Sequence, residues 1–272
     1  MSGRIKLVML ALVWILAAAG CAYFSPEERD ARDSDIELSV LMKKMKAASD
    51  PRMLCTRAQT YVLRQQQVPD PDDLNPHDRT VKIEFQRQPF FTKTIDLTDG
   101  KVNGVILFDG KEAWNINYQL GSSTKLEGLQ LKMMQTVGKI SNPAYSYTDI
   151  FSHIDVKLVF WENREYYRLI CRTGDDDVPP LTVYVDKNNY RPRKVSIDFV
   201  NLDGNKVNYV SYINEYALFS EVMMPSLITV EINDEKTQYR TLEFTLNIQF
   251  PPDEFVLPKP WYLKAGTKGG AK

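Results

Sequence analysis

Histidine and cysteine are almost missing: the 272 residues hold two His and three Cys. That scarcity withholds the usual metal ligands, the usual general base and the usual activated thiol. Charge of one sign is not in excess either, with 34 basic against 35 acidic residues. No cationic surplus exists to release counterions from phosphates, so nucleic acid is not an expected partner. With 15 Pro, 13 Gly and 43% hydrophobic residues, the chain is neither collagen-like nor low-complexity nor disordered throughout. No serine elbow, phosphate-binding glycine loop or paired-carboxylate pattern occurs. His77 falls in a Pro/Asp-rich loop and His153 near the start of a strand, neither at ligand spacing from Cys or Asp. Asp175, Asp176 and Asp177 are adjacent, whereas a calcium loop spaces its ligands, so they read as a solvated hairpin loop. The expectation is a protein that is not an enzyme, with no cofactor and no metal.

What is present begins at the N-terminus. Arg4 and Lys6 precede an apolar run, Leu7 to Ala19, followed by Gly20-Cys21. A basic start, a short apolar stretch and small residues before a cut mark a secretory signal, and the run is too short for a span of ~20 residues. Leu16-Ala17-Ala18-Ala19-Gly20-Cys21 is similar to a bacterial lipobox, with Ala18 where the pattern usually has Leu. The resemblance implies that Cys21 becomes a lipidated N-terminus, carrying palmitate-like acyl chains, more than one of which is needed for stable anchoring. Ala22, rather than Asp, follows the cysteine, which by the same resemblance addresses the protein to the outer membrane, facing the periplasm. Removing residues 1–20 removes Arg4 and Lys6 and no acid, leaving 32 basic and 35 acidic residues. Residues 21–35, crowded with charge, read as a polar tether.

Leu38, Leu41, Met42 and Met45 share one helical face. Asp50-Pro51 reads as the start of a second helix with Leu54, Ala58, Tyr61 and Val62 as its stripe. The period then changes to two. Val81, Ile83 and Phe85 alternate with polar residues, and further strands are expected at 91–97, 103–108, 113–118, 156–161, 165–172, 181–186, 193–200, 206–216, 227–232 and 239–250. Asp99-Gly100, Asp109-Gly110, Asp203-Gly204 and Asn233-Asp234 mark hairpin turns, which only antiparallel neighbours can use. Thr124 and Glu127 have capping-box spacing before a helix carrying Leu126, Leu129, Met133 and Val137. About eleven strands without a dividing linker predict one α+β domain over residues 36–263, its sheet curled to protect the edges, with a flexible tail at 264–272. Cys55 and Cys171 could pair in an oxidising compartment or remain buried thiols.

The order of elements resembles the outer-membrane lipoprotein-sorting superfamily, LolA/LolB-like lipid-binding lipoproteins. The carrying segments are Gln86-Arg87-Gln88-Pro89-Phe90-Phe91, Leu107 to Trp114, Tyr166 to Leu169, Val183 to Lys187 and Phe250 to Phe255. Gln88 stands directly before Pro89, with Arg87 one position earlier, where the soluble carrier often has Arg next to the proline. The resemblance implies a half-open antiparallel barrel with helices over its concave, apolar face. It implies binding of lipoprotein acyl chains or phospholipid there, for sorting or transport, with a periplasmic carrier or envelope protein as the candidate partner. The other reading is an envelope sensor or scaffold that uses the same fold to bind a protein. Trp114, Ile116 and Tyr118 share a strand face beside the Leu/Met-rich helix. With Ile83, Phe85, Leu129 and Met133 they form the expected ligand-lining set, and Leu129→Glu or Met133→Glu is expected to abolish lipid uptake while sparing the fold.

Overall fold

The computed structural model describes residues 29–71, 76–200 and 205–256. The signal, Cys21, the Asp203-Gly204 turn and the tail at 264–272 lie outside the described residues. Fourteen strands lie among them: β1 Arg29–Asp33, β2 Thr60–Gln67, β3 Arg79–Gln86, β4 Phe91–Thr98, β5 Lys101–Phe108, β6 Ala113–Asn117, β7 Ser122–Leu126, β8 His153–Trp161, β9 Arg164–Arg172, β10 Leu181–Asp186, β11 Pro192–Val200, β12 Lys206–Phe219, β13 Val222–Ile232 and β14 Glu235–Leu246. Four helices accompany them: α1 Leu38–Ser49, α2 Leu54–Arg57, α3 Gly128–Ser141 and α4 Tyr147–Ile150.

All fourteen strands belong to one antiparallel sheet in the order β1-β8-β9-β10-β11-β12-β13-β14-β2-β3-β4-β5-β6-β7. Two hairpin-linked runs, β2 to β7 and β8 to β14, are joined side by side where β14 pairs with β2, for example Phe244 opposite Leu63. The edges β1 and β7 do not pair with each other, so the sheet stays open. The tight turns follow the expected chemistry: Asp99-Gly100 and Asn233-Asp234 hold positive φ at both central residues, as a two-residue hairpin with the right twist requires. Glu162-Asn163 and Ser220-Glu221 do the same without a glycine.

The three strands absent from the expected eleven have separate causes. Arg29–Asp33, within the segment read as a tether, pairs with β8 and protects that edge. Its residues lack any apolar pattern, so only the partner strand reveals it. Thr60–Gln67 reads as helix by its apolar spacing, but its backbone is taken up on both sides by β14 and β3. The second helix therefore shrinks to α2. Asp50 still caps it, its carboxylate accepting from the Leu54 and Cys55 amides at 2.8 and 2.9 Å. Ser122–Leu126 pairs with β6 through five residues, so Thr124 is a strand residue and the expected capping box does not form. Gly128, at φ +54°, turns the chain from that edge strand into α3.

One face of the sheet carries the main core, in rows such as Phe85, Thr92, Phe108, Ala113 and Leu126 across β3 to β7. Leu41 and Met45 of α1 and Met133, Met134 and Val137 of α3 pack into the same cluster, so both long helices lie on this inner face. The outer face bears its own features. Glu84 is buried there between Lys82 and Lys93, and burial raises its pKa. Residues 251–256 fold over that charge cluster: Lys93 pairs with Glu254, and Phe255 stacks on Phe91 at 5.2 Å. The closing Phe-Pro-Pro-Asp-Glu-Phe segment is thus a latch on the outside of the sheet.

Candidate functional site

A cavity of about 320 Å³ opens between α1, the end of α3 with α4, and the inner face of the sheet where the two runs of strands meet. Its floor is Tyr61 and Leu63 of β2, Ile83 of β3 and Phe244 of β14. Met42 and Met45 line it from α1, and Met223 and Met224 from β13. Ile140, Pro143 and Tyr147 close the opposite side. Four unbranched, polarisable methionines around one space make a wall that can reshape around a chain of variable contour.

The polar groups in this wall are mostly committed. The Tyr61 hydroxyl donates to the Ser141 carbonyl at 3.1 Å, the Ser141 hydroxyl to the Val137 carbonyl at 3.0 Å, and the Tyr216 hydroxyl to the Pro192 carbonyl at 2.6 Å. Burial pushes the Tyr61 and Tyr216 phenols above their ordinary pKa, so both remain neutral. Lys46, in the last turn of α1, is the one charged residue among the lining residues described. Tyr145 of the lining is 49% exposed, while Arg52 pairs with Glu221 across to the β12–β13 turn. Arg87 braces the other end of this region, its guanidinium donating to the Thr56 carbonyl at 2.9 Å. α3 is tied to the β9–β10 connection by Lys132, which pairs with Asp175 and Asp177 at 2.8 and 2.6 Å.

Cys55, which lines the cavity, and Cys171, in the core, are both free thiols. Burial, with Asp50 nearby, pushes Cys55 up to about 12, and burial raises Cys171 as well. The folded state therefore holds its thiol protons more tightly than the unfolded chain. This stability is full below the ordinary thiol value near 9 and is lost as pH rises from there towards 12. Both thiols should resist alkylation at neutral pH in the native protein and react on denaturation, because the thiolate is the nucleophile. A thiol-labelling time course with and without denaturant checks this; rapid native labelling of Cys55 contradicts it.

Of the expected lining residues, Ile83 is in the cavity wall. Phe85 lies one layer behind, fully buried and stacked on Tyr61 at 4.8 Å. Leu129 and Met133 pack α3 against the core and do not line this cavity. Trp114, Ile116 and Tyr118 require correction. Ala113 and Asn115 of β6 stand opposite the inner-face residues Phe108 and Ile106, so the alternate residues point outward. Ile116 and Tyr118 instead line a shallow outer depression with Lys93 and Glu254, and Lys125 sits over the Trp114 ring at 5.8 Å. The residues not anticipated are Met42, Met45, Tyr147, Met223, Met224 and Phe244. The first two were visible as part of the α1 stripe; the Met223-Met224 pair carries no signal until β13 is placed beside α1.

His77 contacts Asp99 at 2.8 Å on the surface, and no cluster of three or more metal-ligating side chains occurs among the described residues. No helix among them is long and apolar enough to cross a membrane.

An open antiparallel sheet with helices and a methionine-rich cavity on its inner face defines a half-barrel class. The chain has the fold of the LolA superfamily. A LolA superfamily protein from Nitrosomonas europaea superposes with a TM-score of 0.52 at 14% identity, covering 82% of this chain and 98% of that one. An outer membrane lipoprotein-sorting protein domain from Vibrio parahaemolyticus gives a TM-score of 0.48 at 11% identity, covering 80% and 95%. No family model matches the sequence. No curated protein matches it either.

Proposed function

We propose that this protein is an outer-membrane-anchored lipoprotein, lipidated at Cys21 and facing the periplasm, that carries an acyl chain in the cavity between α1, α4 and the sheet. The observation that carries this reading is the cavity itself: about 320 Å³, walled by Met42, Met45, Leu63, Ile83, Met223, Met224 and Phe244. A dry cavity of ~150 Å³ holds one benzene ring. The space here therefore suits roughly a dozen carbons, one acyl chain or the inner part of one. At ~0.8 kcal/mol per buried methylene, that many carbons recover about 10 kcal/mol of the cost of leaving a bilayer. A triacylated lipoprotein would need more room than this state offers, through movement of α1 or α3 away from the sheet. Handling of a single chain at a time fits the volume as it stands.

The test is native mass spectrometry of residues 22–272, exported behind a cleavable secretory leader and recovered from the periplasm without detergent. One acyl compound per chain, identified after organic extraction, is the expected result. A clean apo mass, together with refusal of an added fluorescent fatty acid, overturns the proposal.

A further inference from the structure

The cavity wall is electrically lopsided. Of its described lining residues, Lys46 alone is charged, and no carboxylate lines the space with it. α1 carries Lys43, Lys44 and Lys46 and no acidic residue. Lys44 is used elsewhere: its ammonium donates to the Tyr190 hydroxyl at 2.7 Å and lies 4.3 Å from that ring's centroid. Lys46 is half-buried on the cavity side, one residue beyond Met45. Asp149 feels the Lys46 charge, but its carboxylate is held by the Ser146 amide and hydroxyl at 2.6 and 2.7 Å and makes no ion pair with Lys46. Ser49, three residues after Lys46 and so on the same side of the helix, adds a hydroxyl to the same wall.

A lysine that makes no ion pair beside an apolar space of single-chain volume is suited to one kind of ligand. The chain fills the methionine-lined pocket, and the head leaves its negative charge at the ammonium. A hydrogen bond to a charged group contributes more where water is partly excluded than an exposed ion pair does. Half-burial of Lys46 places it between these two cases.

We infer that the preferred ligand is a single-chain amphiphile with an anionic head, carboxylate or phosphate, paired to Lys46. This rests on the acyl-binding reading above and adds the charge of the head to it. Lys46, the charged member of the cavity wall, is the residue that sets specificity for the head.

The experiment measures displacement of a fluorescent fatty acid from the full chain by three probes: stearate, stearoyl lysophosphatidic acid and monostearoylglycerol. The wild type should prefer the anionic probes about tenfold, which is one charge-assisted hydrogen bond. Lys46→Met should remove that preference by bringing affinity for the anionic probes down to that for monostearoylglycerol, and Lys46→Arg should retain it. Preference for stearate alone assigns a carboxylate head, and preference for lysophosphatidic acid alone a phosphate. Equal affinity for neutral and anionic probes in the wild type overturns the inference while leaving acyl binding intact. Preference that survives in Lys46→Met overturns it too, by placing the head at another cation. Binding of no probe at all overturns the acyl-binding reading together with it.

Discussion

Met224→Glu should lower acyl-chain affinity at least a hundredfold and leave the fold intact. Met224 is half-buried, faces the cavity with Met223 and packs at the margin of the core. An apolar chain brought against a glutamate there would strip water from its carboxylate. Desolvation of an unpaired charge costs several kcal/mol, well above the 2.7 kcal/mol that a hundredfold loss represents. In the unliganded protein the carboxylate can hydrate through the open mouth, so little stability is lost. Displacement of a fluorescent fatty acid measures the first effect and thermal unfolding by circular dichroism the second. Wild-type affinity in a folded variant would remove this cavity from consideration.

The same substitution one helix away should behave differently. Met133 is only 6% exposed, packed beneath α3 in the main core. Met133→Glu therefore buries a charge with no outlet to solvent and should unfold the protein instead of switching off uptake selectively. The sequence alone suggests the opposite, because a methionine on a predicted lid helix looks like part of a ligand surface. What decides is how far the helix is seated.

Gly138→Ala should destabilise the protein by about 1–3 kcal/mol, the range for forcing extra volume into a packed core. On helix propensity alone the change is favourable by ~1 kcal/mol. Here the added methyl group would lie 2.9 Å from Phe108 Cδ1, closer still to Phe108 Cε1, and 3.2 Å from Phe90 Cζ. Phe108 is itself buried against the sheet, 2% exposed, and its ring is met edge-on by Phe90 at 5.8 Å, so it has nowhere to retreat. Steric overlap outweighs propensity, and α3 must lift from the strands. A fall in melting temperature of several degrees is the expected reading; a rise would mean that the helix rides further from the sheet than the contact implies. Because α3 also carries Ile140 of the cavity wall, the variant should change acyl affinity as well.

Much of the architecture was legible because its signals are local. Alternation at Val81, Ile83 and Phe85 and the paired turn residues Asp99-Gly100 and Asn233-Asp234 depend on near neighbours in the chain. So does the stripe of Leu41 and Met45, and α1 is where that spacing places it. Segments whose state depends on distant partners were misread. Tyr61 and Val62 have helical spacing to Leu54 and Ala58, yet flanking strands from both halves of the chain claim their backbone hydrogen bonds, and unpaired buried backbone groups are too costly for the helix to compete. The resemblance to the lipoprotein-sorting superfamily reached the fold correctly from the order of elements, whereas of the expected lining set only Ile83 lies in the cavity wall.

By itself, then, the sequence determined an antiparallel α+β domain, its main turns and the apolar stripe of its first helix, since each is set by the two-residue or 3.6-residue period of a local segment. Tertiary structure alone decided which face of each strand is inside. Trp114, Ile116 and Tyr118 alternate as cleanly as Ile83 and Phe85, and a period of two says that residues share a side without saying which side the helices cover. Only the pairing of β14 with β2, and the seating of α1 over that seam, brings Met42 and Met45 to Met223, Met224 and Phe244 and turns scattered side chains into a cavity.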